Sequence, residues 1–250
     1  MAITDVTIMK KGYTLSAKLN RKIGRAMHDY SMLSDGDRVL VAVSGGIDSL
    51  VLCCIMKMWQ QKAPIQFDIH ALHVDHGFWK NIPDAQCPAR SVGGQLGERG
   101  ITIEIVDEWG ISDCSRTCFL CSRNRRSQLF DLCRERQYTT IALGHHKDDL
   151  IETFMLNAIY SGNISTMVPR QKLFGGTLSI IRPMAYLEKQ EIAEIAAGLQ
   201  LRPLKNLCPL SSDTRREKVR EILESLYQDE PRAKTSLFAA LSNVRKDYLL

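Results

Sequence analysis

The residues with the clearest chemistry are Ser44-Gly45-Gly46-Ile47-Asp48-Ser49. Paired glycines let a backbone approach a ligand closely, and a hydroxyl on each side of them can donate to phosphate oxygens. Asp48 can help hold the Mg²⁺ that travels with a polyphosphate. The chain before this stretch, Val39 to Val43, reads as a strand buried on both faces. The chain after it, Leu50 to Trp59, reads as a buried helix. A strand, a glycine turn and a helix N-terminus together bind anions, because the first-turn N–H groups and the helix dipole point at the ligand. No Gly-Lys-Ser/Thr follows, so this is not a Walker A loop. The third glycine of the dinucleotide fingerprint is also missing. Taken alone, a Ser-Gly-Gly turn also suits a purely structural role.

Two further polar clusters sit where predicted strands end. One is His73, Asp75, His76 and Gly77. The other is Gly144-His-His-Lys-Asp-Asp149. His73 also suits a satisfied strand histidine, and Asp148 and Asp149 suit any helix N-terminus. In an open α/β sheet the ligand crevice lies beyond the C-terminal strand ends, so three clusters on one edge point to one site. Cysteines form the last group. Cys118 and Cys121 are three apart on a predicted helix and share a face. Cys208 lies in Lys205-Asn-Leu-Cys-Pro209, an irregular stretch unlike the setting of a core cysteine. Alone, Cys-X-X-Cys supports zinc, an iron–sulfur cluster or a redox pair. No second Cys-X-X-Cys completes a zinc knuckle.

These residues need a scaffold of 250 residues, 44% hydrophobic and 24% charged, enough for one substantial core. Strands are predicted at 39–43, 67–74, 101–106, 139–143 and 178–181. Helices are predicted over 13–33, 50–59, 114–137, 147–160 and 187–197, with Ala89 to Arg99 a further candidate. This alternation implies a parallel sheet of about five strands with helices on both faces. Three regions are expected: a basic helical segment at 1–35, an α/β domain at 36–213, and a helical tail at 214–250. The net charge of +5 is mildly basic. Lys18, Arg21, Lys22 and Arg25 crowd the first helix and could meet RNA phosphates, although a solvated helix face explains them equally well. No apolar run reaches membrane length and no signal peptide is evident, so a cytoplasmic protein is expected. Eight cysteines there argue for metal or redox chemistry, not disulfides.

Ser44 to Ser49 resembles the Ser-Gly-Gly-X-Asp-Ser pattern of the PP-loop ATP pyrophosphatases. Gly144 to Thr153 resembles their Gly-His-X-X-Asp-Asp-X-X-Glu-Thr stretch. The resemblance implies ATP cleavage to AMP and pyrophosphate with transient adenylation of a substrate. ATP and Mg²⁺ would be held by Ser44, Gly45, Gly46, Asp48, Ser49, His73, Gly144, Lys147 and Asp149. Many sulfur-transferring members carry Lys at the position of Ile47, and Lys147 is the expected substitute. Cys118, Cys121, the Arg125-Arg126 pair, Ile180-Ile-Arg-Pro-Met184 and the Asn-Leu-Cys208 segment resemble the tRNA 2-thiocytidine synthetase branch. That branch implies a [4Fe–4S] cluster on Cys118, Cys121 and Cys208, with one iron open for sulfide. Asp48 and the three cysteines are then the expected catalytic residues, and Arg123, Arg125 and Arg126 would meet RNA. Cys114 would share a face with Cys118 and Cys121 on a continuous helix, but the family pattern does not use it.

The expected partners are tRNA and a sulfur donor, either sulfide or a cysteine-desulfurase persulfide, with a homodimer as a possible assembly. Three other readings stay open. A lysidine-synthetase-like ligase would suit Ile47 and the His73 to Gly77 run but leaves the cysteines without a task. A metal-bearing RNA-binding module leaves the Ser44 to Ser49 loop without one. A thiol oxidoreductase ignores the ATP motif.

Overall fold

The computed structural model describes residues 13–81, 87–110, 117–204, 215–245 and 247. Helix α1 (Ala17–Asp29) begins where the Ser16 hydroxyl accepts a hydrogen bond from the Leu19 amide at 3.3 Å. There follow β1 (Asp37–Ala42), α2 (Ile47–Lys62), β2 (Phe67–Asp75), α3 (Pro88–Gly97), β3 (Ile103–Asp107) and α4 (Cys118–Glu135). The chain continues through β4 (Thr140–Ala142), α5 (Lys147–Ser161), β5 (Arg170–Leu173), β6 (Leu178–Ile181), α6 (Lys189–Gly198), α7 (Arg215–Asp229) and α8 (Ala233–Ala240).

The six strands form one sheet in the order β3-β2-β1-β4-β6-β5. Five of them run parallel, as the alternating sequence pattern predicts. The sixth, β5, is an addition to the predicted five and pairs antiparallel with β6, from Arg170 opposite Ile181 to Leu173 opposite Leu178. Its sequence, Arg-Gln-Lys-Leu, is polar because an edge strand buries little. That is why it carries no strand signature.

Side chains alternate across β1 and divide the core. Val39 and Val41 join α1, α2, α3 and α6 on one face of the sheet. Leu40, with Leu72, Ile141 and Ile180, joins Leu129 and Cys133 of α4 on the other. Leu50, Leu52, Ile55 and Met56 of α2 are fully buried, each stabilising the fold by about 1.5–3 kcal/mol. Leu19, Ile23, Ala26 and Met27 bring α1 into the same core, so the basic helix is fixed to the sheet. A third, smaller cluster packs Val219 and Leu223 of α7 on Ile151 of α5.

Among the described residues no helix is long and apolar enough to cross a membrane. Helix α4 begins at Cys118, because Thr117 is extended and its hydroxyl caps the Leu120 amide at 3.2 Å. The described helix therefore starts four residues after the expected 114, and Cys114 itself lies outside the described residues.

Candidate active site at the strand-order reversal

The strand order reverses at β1, which β2 and β4 flank on opposite sides. The turns leaving β1 and β4 therefore meet there, as expected at a topological switch point. Their contact is close. A Cβ on Gly144 would lie 3.1 Å from the Asp48 carbonyl carbon and oxygen and from the Ser49 amide nitrogen. Only glycine lets the β4–α5 turn seat against the N-terminus of α2.

Within the first turn, the Ser49 hydroxyl organises the backbone. It accepts from the Ser44 amide at 3.1 Å and the Gly45 amide at 3.2 Å, and donates to the Gly46 carbonyl at 2.8 Å. Gly45 adopts φ +88°, and its carbonyl accepts from the Leu204 amide at 3.0 Å. A Cβ there would fall 2.4 Å from Leu204 Cδ1. Ile47 packs against the hydrophobic core, so this position offers the cradle no cation.

His73 is buried, and its Nδ1–H donates to the Val43 carbonyl at 2.8 Å. Burial outweighs that bond and pulls its pKa down, leaving it neutral. Its direct contact braces the end of β1, and the ring does not line the cavity. His76 does line it. Its Nε2 meets Arg125 Nη1 at 3.4 Å and its Nδ1 lies 2.9 Å from Glu108 Oε1.

Acids gather at the start of α5. Asp149 accepts from the His146 amide at 3.0 Å, capping the helix. Asp48 Oδ1 is buried without a hydrogen-bond partner among the described residues, and burial raises the pKa of this carboxyl. A buried, unpartnered carboxylate oxygen beside a phosphate cradle suits a cation such as Mg²⁺. His146 lies 4.0 Å from Asp48 and 3.4 Å from both Asp148 and Asp149. Burial alone would lower its pKa, but the three carboxylates raise it. Burial likewise opposes ionisation of Asp148. Its bonds to His146, Lys234 and the Lys189 amide win and hold it well below the usual range.

Lys147, expected to face the phosphates, turns elsewhere. Its ammonium is 2.9 Å from Glu188 and lies over the Phe238 ring. The cations that do line the cavity are Arg125, Arg126, Arg182 and Arg216. The first two were expected to meet RNA, Arg182 belongs to the Ile180 to Met184 motif, and Arg216 carried no expectation. The cavity measures about 1050 Å³ and runs from Ser44, Gly46, Asp48 and Ser49 past Gly144 and His145 to α4 and the β5–β6 edge.

Cys118 and Cys121 sit in the first turn of α4, one turn before the cavity-lining Ser122 and Arg125. Among the described residues no group of three or more ligating side chains forms a metal centre. The third expected ligand, Cys208, lies outside the described residues. Both chain flanks of its segment are anchored at the site, however. Leu204 is bonded to the Gly45 carbonyl, and Arg216 reaches Thr153 Oγ1 at 3.3 Å and Asp149 at 3.9 Å.

Lys18, Arg21 and Arg25 are exposed on α1, across the sheet from α4. Lys22 is engaged within the fold, with its ammonium 2.8 Å from both Glu191 oxygens. Arg25 lies 3.4 Å from Asp29.

Residues 15–226 match the model of the PP-loop domain. The chain belongs to the PP-loop family. Among its relatives in that family is the tRNA-cytidine(32) 2-sulfurtransferase of Geotalea uraniireducens strain Rf4. That protein is 34% identical over 245 residues, covering 94% of this chain and 95% of the relative. The enzyme of the same name from Shewanella pealeana is 37% identical over 244 residues, covering 96% of this chain and 76% of the relative. Among solved structures, the U34-tRNA thiolase NcsA of Methanococcus maripaludis, determined with its [4Fe-4S] cluster, has the same fold. Its TM-score is 0.73 at 23% identity, covering 90% of this chain and 76% of that one.

Proposed function

We propose that this PP-loop protein is an ATP-dependent tRNA sulfurtransferase that converts cytidine 32 to 2-thiocytidine. The substrate is carried over from the names of the relatives at 34% and 37% identity. A pyrimidine carbonyl oxygen leaves poorly, so it must first be activated. Attack of that oxygen on the ATP α-phosphorus forms an AMP ester and expels pyrophosphate. Sulfide then attacks C2, and AMP departs with the oxygen.

Each step has a candidate residue. The amides and hydroxyls of Ser44 to Ser49 would take the β and γ phosphates. Asp48, with Asp149 nearby, would hold Mg²⁺, which would neutralise charge on the departing pyrophosphate. Gly144 would keep the β4–α5 turn tight against that cradle. His73 would act through the backbone, fixing Val43 at the mouth of the loop. Lys147 would serve the site indirectly, by tying the start of α5 to Glu188. Arg123, Arg125 and Arg126 on α4 would meet the RNA backbone. Lys18, Arg21 and Arg25 would contact RNA that passes around the sheet edge, and Lys22, expected with them, would reach it only by leaving Glu191.

Cys118, Cys121 and Cys208 would hold a [4Fe–4S] cluster, which would supply an iron to carry the sulfide. The donor set fits such a group. Two thiols share one helix face a turn before the cavity-lining Ser122 and Arg125, and Leu204 and Arg216, which flank the stretch bearing the third, are bonded to the cradle and to α5. That double anchoring is the observation that carries the proposal, because Leu204 and Arg216, on either side of the stretch that contains Cys208, are both held at the ATP site. A lysidine-synthetase-like ligase gives the cysteines no role there.

The test is anaerobic incubation of reconstituted protein with ATP, Mg²⁺, sulfide and a tRNA transcript, followed by nucleoside mass spectrometry. Thiocytidine that requires both ATP and the cysteines is expected. Modification by an amine in place of sulfur would overturn the assignment.

A further inference from the structure

Arg182 is a buried cation with no carboxylate in ion-pair contact among the described residues. It follows β6 and is 5% exposed. Its Nε donates to His145 Nδ1 at 3.2 Å, and its Nη1 donates to the Val168 carbonyl. Burial and the nearby Arg126 lower its pKa to about 10, against the opposite pull of Asp149, so it remains charged at neutral pH. A guanidinium held this way is costly unless an anion joins it.

The neighbouring imidazole is fixed as well. Because Nδ1 accepts from Arg182, the proton of neutral His145 resides on Nε2, making that atom a donor. Burial and the Arg182 charge lower the His145 pKa to about 4, so it is neutral in the working range. Both residues line the cavity that holds the glycine cradle. They are also contiguous with it. Gly144 touches the start of α2, His145 follows Gly144, and Arg182 is bonded to His145.

We infer that Arg182, positioned by His145, is the residue that binds the α-phosphoryl group of ATP and keeps hold of it as AMP. The inference rests on the adenylation reading above. With the β and γ phosphates in the cradle, the α-phosphoryl group lies one bridging oxygen further into the cavity, next to the Gly144–His145 turn. There the acceptor oxygen bonds to the α-phosphorus, the bond to pyrophosphate breaks, and pyrophosphate leaves with the electron pair. The non-bridging oxygens carry negative charge throughout, and a fork of fixed N–H donors suits them better than a point charge. A phosphate of the RNA backbone would offer the same chemistry. The contiguity with the cradle favours the nucleotide.

The experiment measures binding of AMP and of magnesium pyrophosphate separately, on full-length protein, together with kcat for AMP formation and KM for tRNA. Arg182→Ala should weaken AMP about tenfold or more and leave pyrophosphate unchanged. Its kcat should fall about 10²- to 10³-fold with little change in the KM for tRNA. Arg182→Lys should be intermediate, and it carries the test if the alanine variant does not fold. His145→Asn, which keeps an acceptor for Arg182 Nε, should recover much of the AMP affinity that His145→Ala loses. Unchanged AMP affinity with a raised KM for tRNA would assign Arg182 to the RNA and overturn the inference. Equal loss of AMP and pyrophosphate would make the role structural and also overturn it. ADP as the wild-type product would sink the adenylation reading and this inference with it. AMP from the wild type, with normal AMP affinity in the variants, would sink this inference alone.

Discussion

Replacing Gly144 by Ala is a clean steric probe of the cradle. The added methyl would stand 3.1 Å from three backbone atoms of Asp48 and Ser49. Because these are backbone atoms, no side chain can rotate away, and the N-terminus of α2 must move by a few tenths of an ångström. Overpacking of this kind costs about 1–3 kcal/mol. The larger effect falls on chemistry, because the moving segment carries Ser49, whose hydroxyl holds the Ser44 and Gly45 amides. Misplacing a phosphate-binding loop should slow AMP formation about tenfold to a hundredfold. The assay pairs urea denaturation with release of labelled pyrophosphate. Gly94→Ala is the control, since a Cβ there meets nothing within 4 Å and Gly94 lies inside α3. It should raise stability by up to about 1 kcal/mol and leave turnover intact. Full activity in Gly144→Ala would refute the view that the close β4–α2 contact sets the geometry of the loop.

Arg220→Ala should loosen α7 by about 2 kcal/mol, because it leaves buried Glu152 without its two-pronged partner at 2.8 and 3.1 Å. Faster amide exchange confined to α7 is the expected reading, and unchanged exchange would count against the tie. Arg136 and then His70 hold the Glu104 pKa down to about 2, against an ordinary 4.5. A depressed carboxyl stabilises the fold above its unfolded pKa, and that stability is lost as pH falls through the folded value. Glu104→Gln should therefore cost about 1 kcal/mol at pH 7, after allowing for solvent screening. The difference from wild type should shrink as pH falls from 4.5 to about 2, and a pH-independent difference would show that the charge is not responsible. Alanine at Cys118, Cys121 or Cys208 should abolish thiolation and the cluster's absorbance after anaerobic reconstitution. Cys114→Ala should keep both, and loss of the cluster in that variant would make Cys114 a ligand and close the iron meant for sulfide.

Much of this arrangement was written in local sequence. Central parallel strands are buried on both faces, so β1 and β2 appear as apolar runs, and the glycine turn after β1 breaks the run where the ligand edge begins. The polar edge strand β5 had no such pattern. The direction of Lys147 was not legible because a residue at the start of α5 can face several neighbours. Glu188, 41 positions on, decides its direction. Arg182 entered only as part of the Ile180 to Met184 motif with no role given to it, and Arg216 escaped notice, for a similar reason. Their partners His145 and Thr153 are 37 and 63 positions away, and nothing local distinguishes these arginines from solvated ones. Spacing did place Cys118 and Cys121 on one face of α4, and the arginine pair that the resemblance joined to them, Arg125 and Arg126, lines the cavity.

The central claim is that the base oxygen is activated as an AMP ester in this cavity. The direct measurement uses tRNA transcribed with cytidine labelled by oxygen-18 at the C2 carbonyl. After a single turnover with ATP and sulfide, AMP is isolated and weighed by mass spectrometry. The account predicts one label per AMP, matched by one thiolated cytidine, because AMP leaves with the oxygen it captured. Thiolated tRNA accompanied by unlabelled AMP, with the label in water, would contradict it.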